Sequence, residues 1–116
     1  MFKVAGLLVA ASAWFAADSA HAAATADDIL SLTSKDPANL IFVAPYLTGI
    51  VEGLDQMQDI YKTKGQPPVY CTSLHNLPES PVPLLVRFVE ANPDKGKLSP
   101  GAVTMLALAW AYPCKE

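Results

Sequence analysis

An all-α fold, four to five short helices in one compact domain stapled by a single disulfide, follows from three observations. Apolar residues recur at three- and four-residue steps, and no segment alternates with the two-residue period of a strand. Polar residues followed by proline punctuate the chain as helix starts. Two cysteines, Cys71 and Cys114, stand 43 positions apart, the second almost at the C-terminus.

The elements follow in order. Thr25-Ala26-Asp27-Asp28 starts a first helix, because Thr25 can cap and two acids occupy the positive first turn. That helix runs through Ile29, Leu30 and Leu32 and gives out near Ser34-Lys35-Asp36-Pro37. Asp36-Pro37 is a second start, and the helix after it is the longest: Leu47, Ile50, Val51, Leu54, Met57 and Tyr61 trace one apolar face. Pro45 must kink this helix or mark its true start. Gly49 and Gly53 let another backbone come close, within the monomer by preference or at a dimer interface. Lys62, Lys64 and Gly65 close the helix. Residues 66–83 read as loop. Ser80-Pro81 caps a third helix with Leu85, Val86 and Val89 inward, ended by Asn92-Pro93 and a charged turn. Ser99-Pro100 opens the last helix, where Val103, Leu106, Ala107 and Trp110 form a stripe that Pro113 ends.

Residues 1–22 read as a secretory signal peptide, leaving a mature domain of residues 23–116. Lys3 supplies the positive start, Val4 to Ala17 the apolar run, and Ala20-His21-Ala22 the small-x-small cleavage site. Nothing after Ala22 reads as apolar for long enough to anchor the mature chain. A soluble, periplasmic protein is expected. Cleavage removes one cation, Lys3, and one anion, Asp18, so the net charge of -3 is unchanged. That mildly acidic balance argues against nucleic acid, whose binding needs basic surface. Two thiols in an oxidising compartment are most simply one disulfide, Cys71–Cys114.

No cofactor and no catalytic constellation is expected. Cys71, His75 and Cys114 would offer three zinc ligands where a structural site takes four, and the cysteines form a disulfide first. An oxidised cysteine is also no nucleophile. Ser73 lies near His75 without the elbow that a serine hydrolase needs. Glu52, Asp55 and Asp59 share one face of the long helix, the normal solvated side of an amphipathic helix unless burial separates their pKa values. Met57, Tyr61 and Trp110 read as core.

One arrangement carries more. APYLTGIVEGLDQM, then a Tyr-Cys pair in a loop, then PLLVRFVEANPDKGKLSPGAVTMLALAWAYPCK resembles the Tai-type immunity proteins that neutralise type VI secretion amidases. The matching positions are Tyr46, Gly49, Glu52, Gly53 and Leu54, then Tyr70 and Cys71, then Asn92 and Pro93, then Tyr112, Pro113 and Cys114. The likeness spans residues 44–115. Pro45 before the tyrosine and the Thr63–Pro68 insertion depart from the pattern. The resemblance implies a non-enzymatic periplasmic protein that occludes a Cys–His peptidoglycan amidase effector, commonly as a homodimer.

Three surfaces are candidates for partner binding: the turn Asp94-Lys95-Gly96-Lys97, the acidic face Glu52, Asp55 and Asp59, and the loop carrying Tyr70 and His75. Loops recognise partners more often than helix faces do, which favours the turn and the Tyr70 loop. Two other readings compete: a periplasmic acid-stress chaperone of the HdeA type, and a periplasmic protein of the same scaffold without a toxin partner.

Overall fold

A computed structural model describes residues 24–115, so the signal peptide and cleavage site expected in residues 1–22 lie outside the described residues. Four α-helices, α1 (Ala26–Lys35), α2 (Leu40–Thr63), α3 (Pro81–Ala91) and α4 (Pro100–Ala111), are joined by three 3-10 turns, and the described residues contain no strand. The all-α expectation holds. Cys71 and Cys114 are bonded, with Cα atoms 5.0 Å apart.

Thr25 caps α1 through a capping box. Its Oγ1 accepts the Asp28 N–H at 3.2 Å, and the Asp28 carboxylate accepts the Thr25 N–H at 2.9 Å. Asp36 stops α1 and starts the next element, accepting the Ala38 N–H at 3.0 Å ahead of the Pro37–Asn39 turn. The N–H of Ala26 donates to the Leu98 carbonyl at 2.8 Å, which ties α1 to the segment before α4.

Helix α2 runs 24 residues and buries Val43, Leu47 and Val51 one turn apart. Ile50, Leu54, Met57 and Tyr61 are half-buried beside them, along the face the periodicity draws. Pro45 is the sixth residue and not the start. The carbonyl it leaves without a donor belongs to Ile41, which is 70% exposed, so water can satisfy it. At the C-terminus Gly65 takes φ +72°; its N–H donates to the Lys62 carbonyl and that of Gln66 to the Tyr61 carbonyl, a Schellman stop. By length and mean hydropathy, 1.2, the Pro37–Thr63 stretch could cross a membrane, which the sequence reading did not anticipate. Its inner face packs on α3 and α4.

Helix α3 starts at Pro81, but Ser80 makes no side-chain cap bond. The reason is local: Pro83 occupies the third helical position and has no N–H to offer. Leu84, Leu85 and Phe88 carry its buried face, with Val86 and Val89 only at the margin. Helix α4 is capped as expected, Ser99 Oγ accepting the Ala102 N–H at 3.3 Å. It is apolar on most sides and buries Val103, Thr104, Ala107 and Leu108. The Thr104 hydroxyl is satisfied inside, donating to the Pro100 carbonyl at 2.6 Å. Trp110 does not join the core; it is 48% exposed and stands edge-on to Phe88, ring centroids 5.7 Å apart. Met57 and Tyr61 are likewise only half-buried.

The disulfide closes a loop of 43 residues around a small core, so its removal weakens the fold through the unfolded chain. Cys71→Ser or Cys114→Ser is expected to cost about 2–4 kcal/mol, a Tm fall of roughly 10–20 °C by calorimetry. Equal melting of the oxidised and reduced protein would contradict this.

Candidate functional site

The segment after α2 has little regular structure, and two side chains of α2 hold it. Gln58 Oε1 accepts the N–H groups of Val69 (2.7 Å) and Tyr70 (3.0 Å), while Gln58 Nε2 donates to the Tyr70 carbonyl at 3.1 Å. One turn earlier Asp55 accepts the Tyr70 hydroxyl at 2.7 Å on one oxygen and the Leu74 N–H at 2.8 Å on the other. From the far side, the Cys71 N–H donates to the Tyr112 carbonyl at 2.8 Å, next to the disulfide.

The structure places Tyr70 inside the core rather than on the surface of its loop. It is 1% exposed, the largest of the fully buried side chains. Burial, the hydrogen bond to Asp55 and the charges of Asp55 and Asp59 push its phenol well above the usual tyrosine range. It stays a hydrogen-bond donor across any ordinary pH.

Fixing the loop in this way forms a recess. Glu52, Asp55, Gln56 and Asp59 from α2 and Ser73, Leu74 and His75 from the loop line an open hollow of about 340 Å³. Two of the three candidate surfaces thus converge: the acidic face and the His75 loop are one site. Asp55 is committed to the loop, whereas Glu52 and Asp59 are exposed and, among the described residues, have no ion-pair partner. His75 is exposed at the rim.

The third candidate stands apart. Asp94, Lys95 and Lys97 lie in the 3-10 turn Pro93–Lys97, which packs on α1 and α3. Their side chains are exposed, while Gly96 is buried where any Cβ would collide with the Asp27 carboxylate, which seats the turn against α1. Lys95 and Asp94 face one another at 3.9 Å. Gly49 and Gly53 also differ from expectation: nothing lies within 4 Å of a Cβ built at either, so no helix crosses there within the monomer.

The recess suits a cationic group. Two free carboxylates at its wall attract one, and the fixed loop needs no reordering to receive it. Cys71 and Cys114, bonded to each other, supply neither metal ligand nor thiolate. Ser73 accepts from the Asn76 amide at 3.2 Å rather than pairing with His75. Among the described residues no group of three His, Cys, Asp or Glu side chains is arranged to hold a metal ion. Gln58, which fixes the loop, carries no sequence signal; nothing in its neighbourhood announces backbone partners eleven and twelve residues away. No family model, curated protein or solved structure matches this chain.

Two outcomes test this construction. Asp55→Ala leaves the Tyr70 hydroxyl buried without an acceptor and should destabilise the fold by about 1–3 kcal/mol in chemical denaturation. The raised phenol pKa favours the protonated folded state, so its contribution is complete below the free tyrosine value of 10.0 and falls away as pH rises past it. Denaturation at stepped alkaline pH should therefore show steeper loss for the wild type than for Tyr70→Phe.

Proposed function

We propose that this chain is a periplasmic immunity protein that binds and occludes a secreted Cys–His peptidoglycan amidase, protecting the cell that makes it. One observation carries the reading: the acidic face of α2 and the His75 loop converge on a single braced recess with two uncommitted carboxylates. Occlusion needs a preorganised shape and a few anchoring groups, not catalytic ones. Glu52 and Asp59 suit a basic or imidazolium group at the mouth of the partner's cleft. The disulfide fits an oxidising compartment. The order of residues from Tyr46 to Cys114 supports the same family reading.

The acid-stress chaperone keeps a specific observation in its favour. Ile41 and Phe42, 70% and 72% exposed, are apolar surface of the kind such a protein covers at neutral pH and offers to clients when carboxylates protonate.

A survival assay separates the two. The product of the adjacent gene is sent to the periplasm of a test strain, with and without this protein. Toxicity alone and rescue on co-expression are expected. Glu52→Ala with Asp59→Ala should weaken binding of that product about tenfold or more, while Lys95→Ala with Lys97→Ala leaves it unchanged. Absence of rescue, with suppression of client aggregation only at acid pH, would favour the chaperone.

A further inference from the structure

Helix α1 packs on α2, α4 and the Pro93–Lys97 turn, and α3 packs on α2, α4 and the same turn. Both helices are thus braced from behind, and an open groove of about 360 Å³ lies between them. Its floor is apolar: Leu30 comes from α1, Val86 and Val89 from α3. The two valines are the pair that periodicity turns inward. The core takes Leu84, Leu85 and Phe88 in their place and leaves the valines half-buried at the groove.

One end of the groove is acidic. The Pro93–Lys97 turn follows α3 directly and seats Gly96 against Asp27, so it brings the start of α1 beside the end of α3. Asp27 and Glu90 line the groove there. Both are exposed, and among the described residues neither joins an ion pair; the nearby Lys95 is held by Asp94 at 3.9 Å. Glu90 also lies in the last turn of α3, which carries no basic residue. An acid at the negative end of a helix is unfavourable, and a cation placed there is favourable. The opposite end is lined by Ser31 and Ser34, small and uncharged.

From this we infer that the groove docks an amphipathic helix of a partner protein, with an aliphatic side chain on the floor and a Lys or Arg at the acidic end. Charge complementarity selects the basic residue, since two carboxylates and the C-terminal end of α3 converge without a cation of their own. The helical form follows from shape. An open trough between two braced helices is the form that helix-in-groove recognition uses, and it lacks the convergent polar groups that orient a small molecule. The serines at the open end let a backbone lie close. The spacing is set as well. Asp27 stands three residues from Leu30 on α1, and Glu90 four residues from Val86 on α3. Floor and charge are thus about one turn apart, so the partner's aliphatic and basic residues stand three or four positions apart. An anionic lipid surface is the poorer occupant, because the acidic end repels its headgroups. None of these residues belongs to the recess on α2, so the inference does not rest on the proposed function.

A phage-displayed library of helical peptides, randomised along one face and selected on the purified oxidised protein, tests it. The expected result is enrichment of sequences with an aliphatic residue three or four positions from a Lys or Arg. Made as free peptides, these should bind the Asp27→Asn, Glu90→Gln double variant about tenfold or more weakly than wild type, with a flatter dependence on salt. Ser34→Trp, which fills the open end, should weaken them comparably. Ser34 is exposed and Asn and Gln keep the shape of the acids, so helical circular dichroism should match wild type for both variants. Glu52→Ala with Asp59→Ala should leave the peptides bound, which separates this groove from the recess. A library that yields no binder would overturn the inference, as would binders without a basic residue or binders indifferent to both groove variants. So would self-association, or flotation with phosphatidylglycerol–phosphatidylethanolamine vesicles, that Ser34→Trp abolishes, which would give the groove to a second copy or to lipid.

Discussion

Between α2 and α3 the chain passes through 17 residues, Lys64 to Ser80, whose only regular element is one short 3-10 turn. What holds that segment is a clamp centred on Tyr70 and Cys71. Gln58 gives the Tyr70 backbone the partners that a neighbouring strand would give, and Asp55 satisfies the buried hydroxyl. Cys71 then fastens the same point to the end of α4, by a hydrogen bond to Tyr112 and by the disulfide. Each contact is of a kind worth about 1 kcal/mol, with the disulfide larger. Acting on adjacent residues, they convert a segment with little structure of its own into one wall of the core. Tyr70 is buried because both sides of it are tied, and α3 and α4 close on the surface it provides.

The same clamp explains which features the sequence displays. Caps are decided by three or four consecutive residues, so Thr25, Asp36, Ser99 and Gly65 could be read directly. Ser80 fails although it precedes a proline, because Pro83 removes the donor it would have served. Its failure was visible in the sequence three residues on. Pro45 and the two glycines of α2 are different. Whether a proline ends a helix or a glycine meets a neighbour depends on what lies outside it, and outside α2 at those positions lies solvent. Trp110 shows the same dependence: its spacing puts it in the apolar stripe, but α4 is apolar on so many sides that spacing cannot say which side faces in.

The candidate site was legible in halves. Glu52, Asp55 and Asp59 share a helix face by spacing alone, and His75 belongs to a loop by composition. Nothing local says that the halves touch, since Gln58 and Asp55 bridge eleven to nineteen residues of intervening chain. The roles inside the site were also hidden. Among three carboxylates of equal appearance, Asp55 is structural because Tyr70 and Leu74 reach it, and Glu52 and Asp59 are left available. The charged turn was favoured alongside the Tyr70 loop; Gly96 seats it against Asp27 and the bond from Ala26 to Leu98 holds its far end down.

Length sets the division of labour between the two sides of α2. At 24 residues it rises about 36 Å, whereas α1, α3 and α4 have 10, 11 and 12 residues and reach about half as far. Three short helices cannot surround a helix twice their length. They cover one side of it, where Val43, Leu47 and Val51 lie, and the other side is left to water or to a partner. A chain under no demand on that outer side would fill it with charge, as the flank at Glu52 and Asp59 does. The stripe from Phe42 to Ile60 instead keeps apolar side chains at its ends and bare backbone at its centre, at a cost in helix propensity of about 1 kcal/mol for each glycine. Packing within the described residues does not offset that cost. The inner face of α2 is set by the clamp and the short helices that close on it; the outer face, which those helices do not reach, keeps a composition that packing within the described residues does not account for.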